Sequence, residues 1–394
     1  MSNELPLGYQ YSTVYAGIRK AKKDDLSLIV STPTANAAAV FTRNLVAASP
    51  VLLSRTNLKA SKGKVKALLI NAGNANCATR TGMKVALTTA RAAAKHAKCN
   101  PAEVLPSSTG VIGVELNPKL ITDALPELFA GLSADRFGDV AKAILTTDLV
   151  QKTAQANIQL AKGKIRIAGM TKGSGMIQPN MATTLGYVMT DAAISVKDLQ
   201  TILTRATELS YNRLTVDGDT STNDTIVLLA NGASGIKPKP DELALIASEI
   251  TNILKSLAAQ IARDGEGAKK LIRVLVSGAR SETDAVLIGR AIANSPLVKT
   301  AIAGSDPNWG RIICAAGYSG AKFDPANVDI FLQGKRVCKA GLAAPFDEGK
   351  LKLKLDEKDV VIDLRIVGNG NGTAEFWTCD FTEGYIEING SYRT

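Results

Sequence analysis

The sequence predicts an α/β fold of the α+β type, built on mixed sheets rather than on a regular alternation of strands and helices. Two observations support this prediction. Short apolar or alternating segments bounded by Gly, Asn and Asp recur along the chain and are typical of β-strands. Longer segments with helical spacing of apolar residues occur between them, but strands and helices come in groups.

Each element is predicted from its local pattern. In chain order, strands are predicted over Val65–Asn71, Ala154–Leu160, Lys164–Met170, Leu185–Met189, Thr225–Ala230, Ile272–Val276, Val298–Ala303, Val328–Leu332, Val360–Val367 and Ala374–Cys379. Helices are predicted over Met83–Ala97, Pro118–Gly131, Val140–Leu145, Val196–Tyr211, Asp241–Ala262 and Ser281–Ala293. The stretch Lys162-Gly163-Lys164 predicts a tight hairpin turn between two of the strands.

The composition indicates a folded protein with a large aliphatic core. The chain has 394 residues, of which 45% are hydrophobic, 21% charged and 5% aromatic. No apolar run reaches the roughly 18–20 residues that a membrane span needs. The start of the sequence lacks a basic segment followed by an apolar one. We therefore expect no membrane partner and a cytoplasmic location.

The net charge of +11 raises the question of nucleic acid binding. The basic residues are spread along the chain, and no interleaving with aromatic residues indicates a stacking platform. We therefore expect a solvated basic surface and no nucleic acid partner. The five cysteines are scattered and never form a Cys-x-x-Cys pair, so reduced thiols and no metal site are expected.

The single histidine constrains the chemistry. His96 lies in an Ala-rich helical run, where a solvated helix residue is the simplest interpretation. A Ser-His-Asp triad or a multi-histidine metal site would have to be built around this one residue. If the chain transfers acyl groups, its general base is therefore expected to be something else, such as a terminal amine.

The most informative stretch runs from Lys172 to Leu185. A loop rich in Gly, Pro and Asn precedes Ala182 and Thr183, and a buried strand is predicted from Thr184 to Thr190. A Thr183 hydroxyl held in this way can attack the carbonyl of Ala182. An N-to-O shift and hydrolysis would then leave Thr183 as a new N-terminus that carries both a nucleophile and an amine base. From these residues alone, a plain loop that leads into a core strand is the alternative.

Agreement elsewhere identifies a family. The matching segments are Ala39-Val40-Phe41-Thr42-Arg43-Asn44, Asn71-Ala72-Gly73-Asn74-Ala75-Asn76, Ser107-Ser108-Thr109-Gly110-Val111-Ile112-Gly113, Thr146-Thr147-Asp148, the stretch from Lys172 to Leu185, Asp217-Gly218-Asp219-Thr220-Ser221-Thr222-Asn223-Asp224, Asp264-Gly265-Glu266-Gly267, Asp306-Pro307-Asn308-Trp309-Gly310-Arg311 and Asn389-Gly390-Ser391-Tyr392-Arg393-Thr394. Because these segments occur together and in this order, the chain closely resembles the ornithine acetyltransferase (glutamate N-acetyltransferase) family of arginine biosynthesis.

The resemblance implies an architecture. It is an αββα-type sandwich with mixed sheets, similar to but distinct from the N-terminal nucleophile hydrolases. Autocatalytic cleavage between Ala182 and Thr183 would divide the chain into an alpha piece, 1–182, and a beta piece, 183–394, that fold together. Two alpha and two beta pieces are expected to form a heterotetramer.

The resemblance also implies roles for individual residues. Thr183 is the catalytic nucleophile, and the Thr109 hydroxyl and the Gly110 N–H form the oxyanion hole. The substrate-binding residues are Thr146, Lys172, Thr183, Glu266, Asn389 and Thr394. From the residues alone, Ser107–Gly110 is expected to be a loop with exposed backbone N–H groups. The sequence departs from the family in one place, because Thr184 occupies a position that is often Met.

The expected reaction moves an acetyl group from N-acetylornithine to glutamate through an acetyl-Thr183 ester. One amide is exchanged for another, so no cofactor is expected; whether acetyl-CoA is also a donor stays open. The acidic loop Asp217–Asp224 does not fit a calcium-binding pattern, because Leu228 stands where Glu is required. It is expected to be a hydrogen-bonded loop near the site. The alternatives are a self-processing aminopeptidase of similar fold and a basic binding protein.

Overall fold

The computed structural model describes residues 4–178, 184–368 and 370–391. The strands are β1 Tyr9–Val14, β2 Leu26–Phe41, β3 Lys64–Asn74, β4 Val104–Val111, β5 Lys152–Leu160, β6 Gly163–Lys172, β7 Leu185–Thr190, β8 Thr225–Ala230, β9 Leu271–Ala279, β10 Val328–Leu332, β11 Lys335–Lys339, β12 Leu342–Ala343, β13 Asp359–Ile366 and β14 Gly372–Cys379. The helices are α1 Ser49–Ala60, α2 Gly82–Ala97, α3 Pro118–Ala130, α4 Phe137–Ala143, α5 Val196–Glu208, α6 Pro240–Arg263, α7 Glu282–Asn294, α8 Pro296–Ala303, α9 Trp309–Gly317, α10 Glu348–Leu355 and α11 Glu383–Ser391.

The long strand β2 belongs to both halves of the first sheet. The strand order is β4-β3-β2-β8-β7-β6-β5, and β1 pairs with the N-terminal part of β2. The pairing register of β2 shifts between Val30 and Ala35. Before this irregularity β2 pairs with β1 and β3; after it, β2 keeps two pairs with the start of β3 and pairs with β8. The irregularity therefore lets one strand serve two half-sheets.

Strand alternation distributes the core over the layers. Ile29 and Leu68 from one half-sheet share a buried cluster with Tyr187 and Val227 from the other. The opposite faces of the strands pack against α2 and α3 on one side and against α5 and α6 on the other. Helix, sheet, sheet and helix therefore form successive layers, and the expected αββα sandwich with mixed sheets is confirmed.

The second sheet has the strand order β12-β11-β10-β13-β9-β14. One face packs against α7 to α10 and forms a separate aliphatic core. The other face carries charged pairs, including Arg273 with Glu375 at 2.7 Å and Arg365 with Asp363 at 2.6 Å. The helical layer α7 to α10 thus covers one face, while on the other face Trp377 and Cys379 pack into the cluster that contains α6.

One predicted strand was wrong. Residues Val298–Ala303 belong to α8, where Ser295 caps the helix by accepting a hydrogen bond from the Val298 N–H and Pro296 occupies the first turn. A short apolar run does not distinguish a buried strand from a buried helix, and the start signals of a helix decide here.

The hairpin predicted at Lys162-Gly163-Lys164 is confirmed, since β5 and β6 pair antiparallel up to Leu160 opposite Gly163. β6 then pairs with β7, with Lys172 opposite Leu185, and β7 runs parallel to β8. Chain segments on both sides of residues 179–183 are therefore neighbours in one sheet. The predicted division at 182/183 lies outside the described residues. None of the described helices is both long and apolar enough to span a bilayer.

Candidate active site

A pocket of about 280 Å³ opens at the end of the first sheet. Its lining includes each sequence-predicted site residue that the structure describes: Thr109, Gly110, Thr146, Lys172, Glu266 and Asn389. Ala182, Thr183 and Thr394 lie outside the described residues. Ile177 and Thr184, which lie on either side of the expected cleavage position in the sequence, also line the pocket.

The predicted loop at Ser107–Gly110 is instead the end of the edge strand β4. This strand runs parallel to β3, with Thr109 opposite Ala72 and Gly110 opposite Gly73. The pairing joins segments that are far apart in the sequence, and a small-residue segment with a proline carries little local strand signal. Proline is tolerated there because an edge strand leaves one row of N–H groups unpaired.

The outer edge of β4 faces the pocket. The Pro106 carbonyl accepts a hydrogen bond from the Ser54 hydroxyl at 2.7 Å, outside the sheet. The Ser108 carbonyl accepts one from the Asn223 side chain at 2.8 Å. Because backbone groups point to the same side at every second residue, the Gly110 N–H is directed to this same edge. An acceptor in the pocket can therefore meet it.

Gly110 has a second, steric requirement. Its φ of +127° lies in a region that side chains rarely adopt, and a Cβ there would lie 2.5 Å from the Gly73 carbonyl carbon. Such a contact is shorter than any real Cβ contact, so the backbones of β3 and β4 could approach this closely only with glycine. Two glycines side by side thus bring the edge of β4 to the pocket.

Two asparagine side chains support this edge. The Asn71 side chain donates to the Asn74 carbonyl at 2.8 Å and to the Ser108 hydroxyl at 2.9 Å. The Asn74 side chain donates to the Val114 carbonyl at 3.0 Å and accepts from the Asn76 N–H at 2.7 Å. The asparagine-rich segment therefore holds the backbone on both sides of Thr109 and Gly110, a role that its sequence pattern alone did not assign.

Lys172 lies at the end of β6 and reaches across to β4. Its Nζ is 3.2 Å from the Thr109 Oγ1. Among the described residues that line the pocket it is the only cation, and the carboxylates are Asp217, Asp219, Asp224 and Glu266. Burial lowers the pKa of Lys172, while the nearby carboxylate charges act in the opposite direction. The pocket is acidic, although the chain as a whole is basic.

A buried ion network lies next to the pocket. The Lys152 ammonium, which is fully buried, contacts Asp148 at 2.8 Å and Asp264 at 2.5 Å. Burial raises the pKa of Asp148, but the charges of Lys172 and Lys152 outweigh it and hold the pKa of this carboxyl at about 2. Asp148 is therefore ionised, and the ammonium between two carboxylates is compensated where water is excluded.

The network positions three segments of the pocket wall. Asp148 accepts hydrogen bonds from the N–H of Thr146 at 3.1 Å and of Gly173 at 2.6 Å. The Ser174 hydroxyl donates to the Asp264 carbonyl at 2.6 Å, and the Ser174 carbonyl accepts from the Glu266 N–H at 3.0 Å. Lys152 had no assigned role in the sequence, because nothing local distinguishes it from a surface lysine.

Glu266 is held between a glycine and the C-terminal helix. A Cβ on Gly175 would lie 2.2 Å from the Glu266 carboxylate, so any other residue there would displace the carboxylate from this position. The Asn389 side chain donates to the same carboxylate at 2.8 Å. Helix α11 begins directly against Gly267, where a Cβ would lie 2.3 Å from the Tyr385 nitrogen. The glycines that flank Glu266 in the sequence and its partner Asn389 thus form one structural unit.

The acidic loop holds the chain just before the expected cleavage position. Asp217 accepts hydrogen bonds from the N–H of Met176 at 2.6 Å and of Ile177 at 2.8 Å. The Gln178 N–H donates to the Asp219 carbonyl at 2.7 Å. Met176 has a φ of +56°, a strained value for a residue with a side chain. The structure places this loop at the pocket, as predicted, and shows what it binds.

His96 is exposed on α2, as the interpretation of a solvated helix residue predicted, and its ring stacks on Phe129 with 5.3 Å between centroids. It is absent from the pocket lining. The described part of the chain holds no group of three or more His, Cys, Asp or Glu that could bind a metal.

The layered sandwich with a polar pocket at the end of its first sheet is an architecture typical of α/β enzymes. A family model described as the ArgJ family matches residues 10–394. The arginine biosynthesis bifunctional protein ArgJ of Chlorobaculum tepidum is 43% identical over 391 residues, which cover 99% of this chain and 96% of the relative. The protein of the same name from Chlorobium chlorochromatii is 44% identical over 392 residues, with 99% and 91% coverage.

A crystal structure of the arginine biosynthesis bifunctional protein argJ of Bacillus halodurans is also similar, with 42% identity and a TM-score of 0.51. The alignment covers 98% of that chain and 52% of this one. The chain therefore belongs to the ArgJ family of arginine biosynthesis and is a transferase.

Proposed function

We propose that this protein is a self-processing acetyltransferase that moves an acetyl group from N-acetylornithine to glutamate through an acetyl-Thr183 ester. The observation that carries the proposal is convergence: six residues that are dispersed over the sequence line one pocket, together with Ile177 and Thr184. This set provides oxyanion donors, a cation and carboxylates, which are the groups that acyl transfer between amino acids requires.

The first half-reaction forms the ester. The Thr183 oxygen attacks the acetyl carbonyl of N-acetylornithine, and the α-amine of Thr183 takes the hydroxyl proton. The negative charge that develops on the carbonyl oxygen is stabilised by the Thr109 hydroxyl and the Gly110 N–H, which lie together at the edge of β4. The C–N bond then breaks, the nitrogen receives the proton, and ornithine leaves.

The second half-reaction transfers the acetyl group. The amine of glutamate attacks the ester carbonyl, the C–O bond to Thr183 breaks, and the proton from the amine returns to the Thr183 oxygen. An amide replaces an amide over the whole cycle, so the exchange needs neither ATP nor a metal. We assign substrate binding to Thr146, Lys172, Thr183, Glu266, Asn389 and Thr394. The acidic lining suits the side-chain ammonium of the ornithine donor.

Two observations support self-processing. The acidic loop holds the backbone at Met176 and Ile177, so the segment that leads to Ala182 and Thr183 is anchored at its start. Nearly the whole Bacillus halodurans chain aligns with 52% of this one, and residues 183–394 likewise make up just over half of it. We propose that two copies of each piece assemble into a heterotetramer in the cytoplasm. Size-exclusion chromatography with light scattering measures the mass of the assembly and so tests this proposal.

Intact mass measured under denaturing conditions tests the cleavage. Wild-type protein is expected to give two pieces, with Thr183 at the start of the second. Thr183→Ala is expected to remain one folded chain and to lose all measurable turnover. Without the Thr183 hydroxyl, neither the ester with Ala182 that precedes cleavage nor the acetyl ester of the catalytic cycle can form. A single full-length wild-type chain that still transfers acetyl groups would contradict the mechanism.

The pH profile tests the base. The rate is expected to rise through an apparent pKa near that of an α-amine, about 7.7–8.0, rather than that of a histidine, about 6.5. His96→Ala should leave the profile unchanged, because His96 is exposed and outside the pocket lining. Loss of activity in a folded His96→Ala protein would require a histidine mechanism instead.

Product analysis separates the remaining alternatives. The transferase is expected to form N-acetylglutamate from N-acetylornithine and glutamate. Release of acetate or of a free amino acid without transfer would instead support the self-processing aminopeptidase. The relatives are named bifunctional, so acetyl-CoA should be offered as a second donor; formation of N-acetylglutamate from it would add that activity.

A further inference from the structure

The contact between Lys172 and Thr109 has a direction. The Lys172 Nζ lies 3.2 Å from the Thr109 Oγ1. A lysine ammonium has three N–H donors and no acceptor, whereas a threonine hydroxyl can both accept and donate. In this contact the Thr109 oxygen must therefore be the acceptor. Its single proton is then free to donate to another group.

The surroundings favour this arrangement. Lys172 is the last residue of β6 and pairs with Leu185 of β7. Its side chain crosses to the end of β4. Charged groups that face it are the carboxylates Asp148, Asp224 and Glu266 and the ammonium of Lys152. The Asp148 carboxylate also binds the Gly173 N–H at 2.6 Å, next to Lys172 in the chain. The ammonium is therefore held beside Thr109 before any substrate enters.

We infer that Lys172 is a positioning residue for the oxyanion hole, which orients the Thr109 hydroxyl so that its proton points to the reacting oxygen. The inference rests on the proposed acyl transfer and deepens it. A donated hydrogen bond from a cation also polarises the hydroxyl and strengthens the bond that it gives in turn. The expected role of Lys172 in binding a substrate carboxylate does not include this function.

The two roles differ in their kinetic consequence. A lysine that only binds a carboxylate contributes equally to the bound substrate and the transition state, so its loss raises KM and leaves kcat unchanged. A lysine that orients an oxyanion donor acts mainly when charge develops, so its loss lowers kcat. Its effect must also depend on the presence of the Thr109 hydroxyl.

A double-mutant cycle on the cleaved protein tests the inference. Thr109→Val is expected to lower kcat by about 10²-fold, the usual effect of one oxyanion donor. Lys172→Met is expected to lower kcat by about 10-fold or more in the wild-type background, but by less than about 3-fold in the Thr109→Val background. Lys172→Arg keeps a cation without an acceptor and should recover part of the rate.

Lys164→Met is the matched control, because Lys164 is at the other end of β6, where it pairs with Glu4 at 2.8 Å. It should keep wild-type kcat. If Lys172→Met raises KM alone, or lowers kcat equally in both backgrounds, the inference is overturned while the proposed function stands. If Thr109→Val leaves kcat unchanged, the oxyanion hole of the proposed function fails as well.

Discussion

The two sheets each bury a lysine, but they compensate it in different ways. Lys152 of the first sheet is enclosed by the carboxylates of Asp148 and Asp264. Lys270, at the second sheet, instead donates to the carbonyls of Ile302 and Leu355 at 2.9 and 2.7 Å and to the Ser305 hydroxyl at 2.6 Å. The two kinds of partner differ because the two lysines connect different parts of the protein.

Around Lys270, neutral oxygens from helical ends surround the ammonium, and its nearest carboxylate, Asp356, is 3.9 Å away. Around Lys152, the carboxylates also bind backbone N–H groups, at Gly173 of the pocket wall through Asp148 and at Leu149 through Asp264. A charged network can hold several loops at once because each carboxylate has several acceptor positions. Of these two lysines, the one that carboxylates compensate is therefore the one beside the pocket.

The largest effect is expected from removing each lysine. Lys152→Met removes the ammonium that two buried carboxylates contact, and should lower the free energy of unfolding by about 3–5 kcal/mol. Lys270→Met leaves neutral acceptors unsatisfied and should cost about 1–3 kcal/mol. Denaturant unfolding measures both values. Equal costs would show that the two environments do not differ as the contacts indicate.

The next largest difference between the two sheets is expected in how stability depends on pH under acidic conditions. The pKa of Asp148 is about 2 in the folded protein, against about 3.9 for an unfolded chain. The folded state therefore binds the proton less readily than the unfolded chain. The contribution of the ionised Asp148 to the free energy of unfolding is complete above about pH 4 and is lost as the pH falls towards 2. The difference corresponds to about 2–3 kcal/mol.

This contribution should be absent in Asp148→Asn, whose stability should fall less steeply than that of the wild type between pH 4 and 2. Asp356→Asn is the control from the second sheet, because the Asp356 side chain is 60% exposed and its contact with the Lys270 ammonium is long, at 3.9 Å. It should follow the wild-type curve. An Asp148→Asn protein that loses stability as steeply as the wild type would contradict the assigned pKa.

The smallest effect is expected from a buried hydroxyl at the first sheet, and a larger one from its counterpart in the second sheet, which binds an ammonium. Thr184→Val removes the hydrogen bond to the Thr171 hydroxyl at 2.9 Å and the one donated to the Lys172 carbonyl. Because the Thr171 hydroxyl keeps the Leu185 carbonyl at 3.0 Å, the cost should be about 1 kcal/mol. Thr378→Val removes an acceptor of the Lys299 ammonium at 3.0 Å and should cost about 1.5–3 kcal/mol.

Both variants should still be cleaved and should keep measurable turnover, because neither hydroxyl is the proposed nucleophile or an oxyanion donor. Intact mass and steady-state rates measure this. If Thr184→Val abolishes cleavage in a folded protein while Thr183→Val does not, the nucleophile has been assigned to the wrong threonine.

Much of the fold was predictable because its signals are local. Alternation predicted β5 and β6, and the intervening glycine predicted their hairpin, which the register confirms. The run Val298–Ala303 was predicted wrongly because six apolar-rich residues fit either element, and the capping Ser295 lies outside the run. The edge strand β4 was missed because its pairing partner β3 is distant in the sequence.

The sequence by itself determined the fold class, the family and the set of candidate residues, since each depends on residue type and on local order. Only the tertiary structure decided which of these residues meet. Thr109 and Lys172 are 63 positions apart, and their contact exists because β4 and β6 end at the same pocket. Lys152 was indistinguishable from a surface lysine until the fold enclosed it between two carboxylates. Non-local packing sets burial, and burial turns an ordinary charge into part of the site.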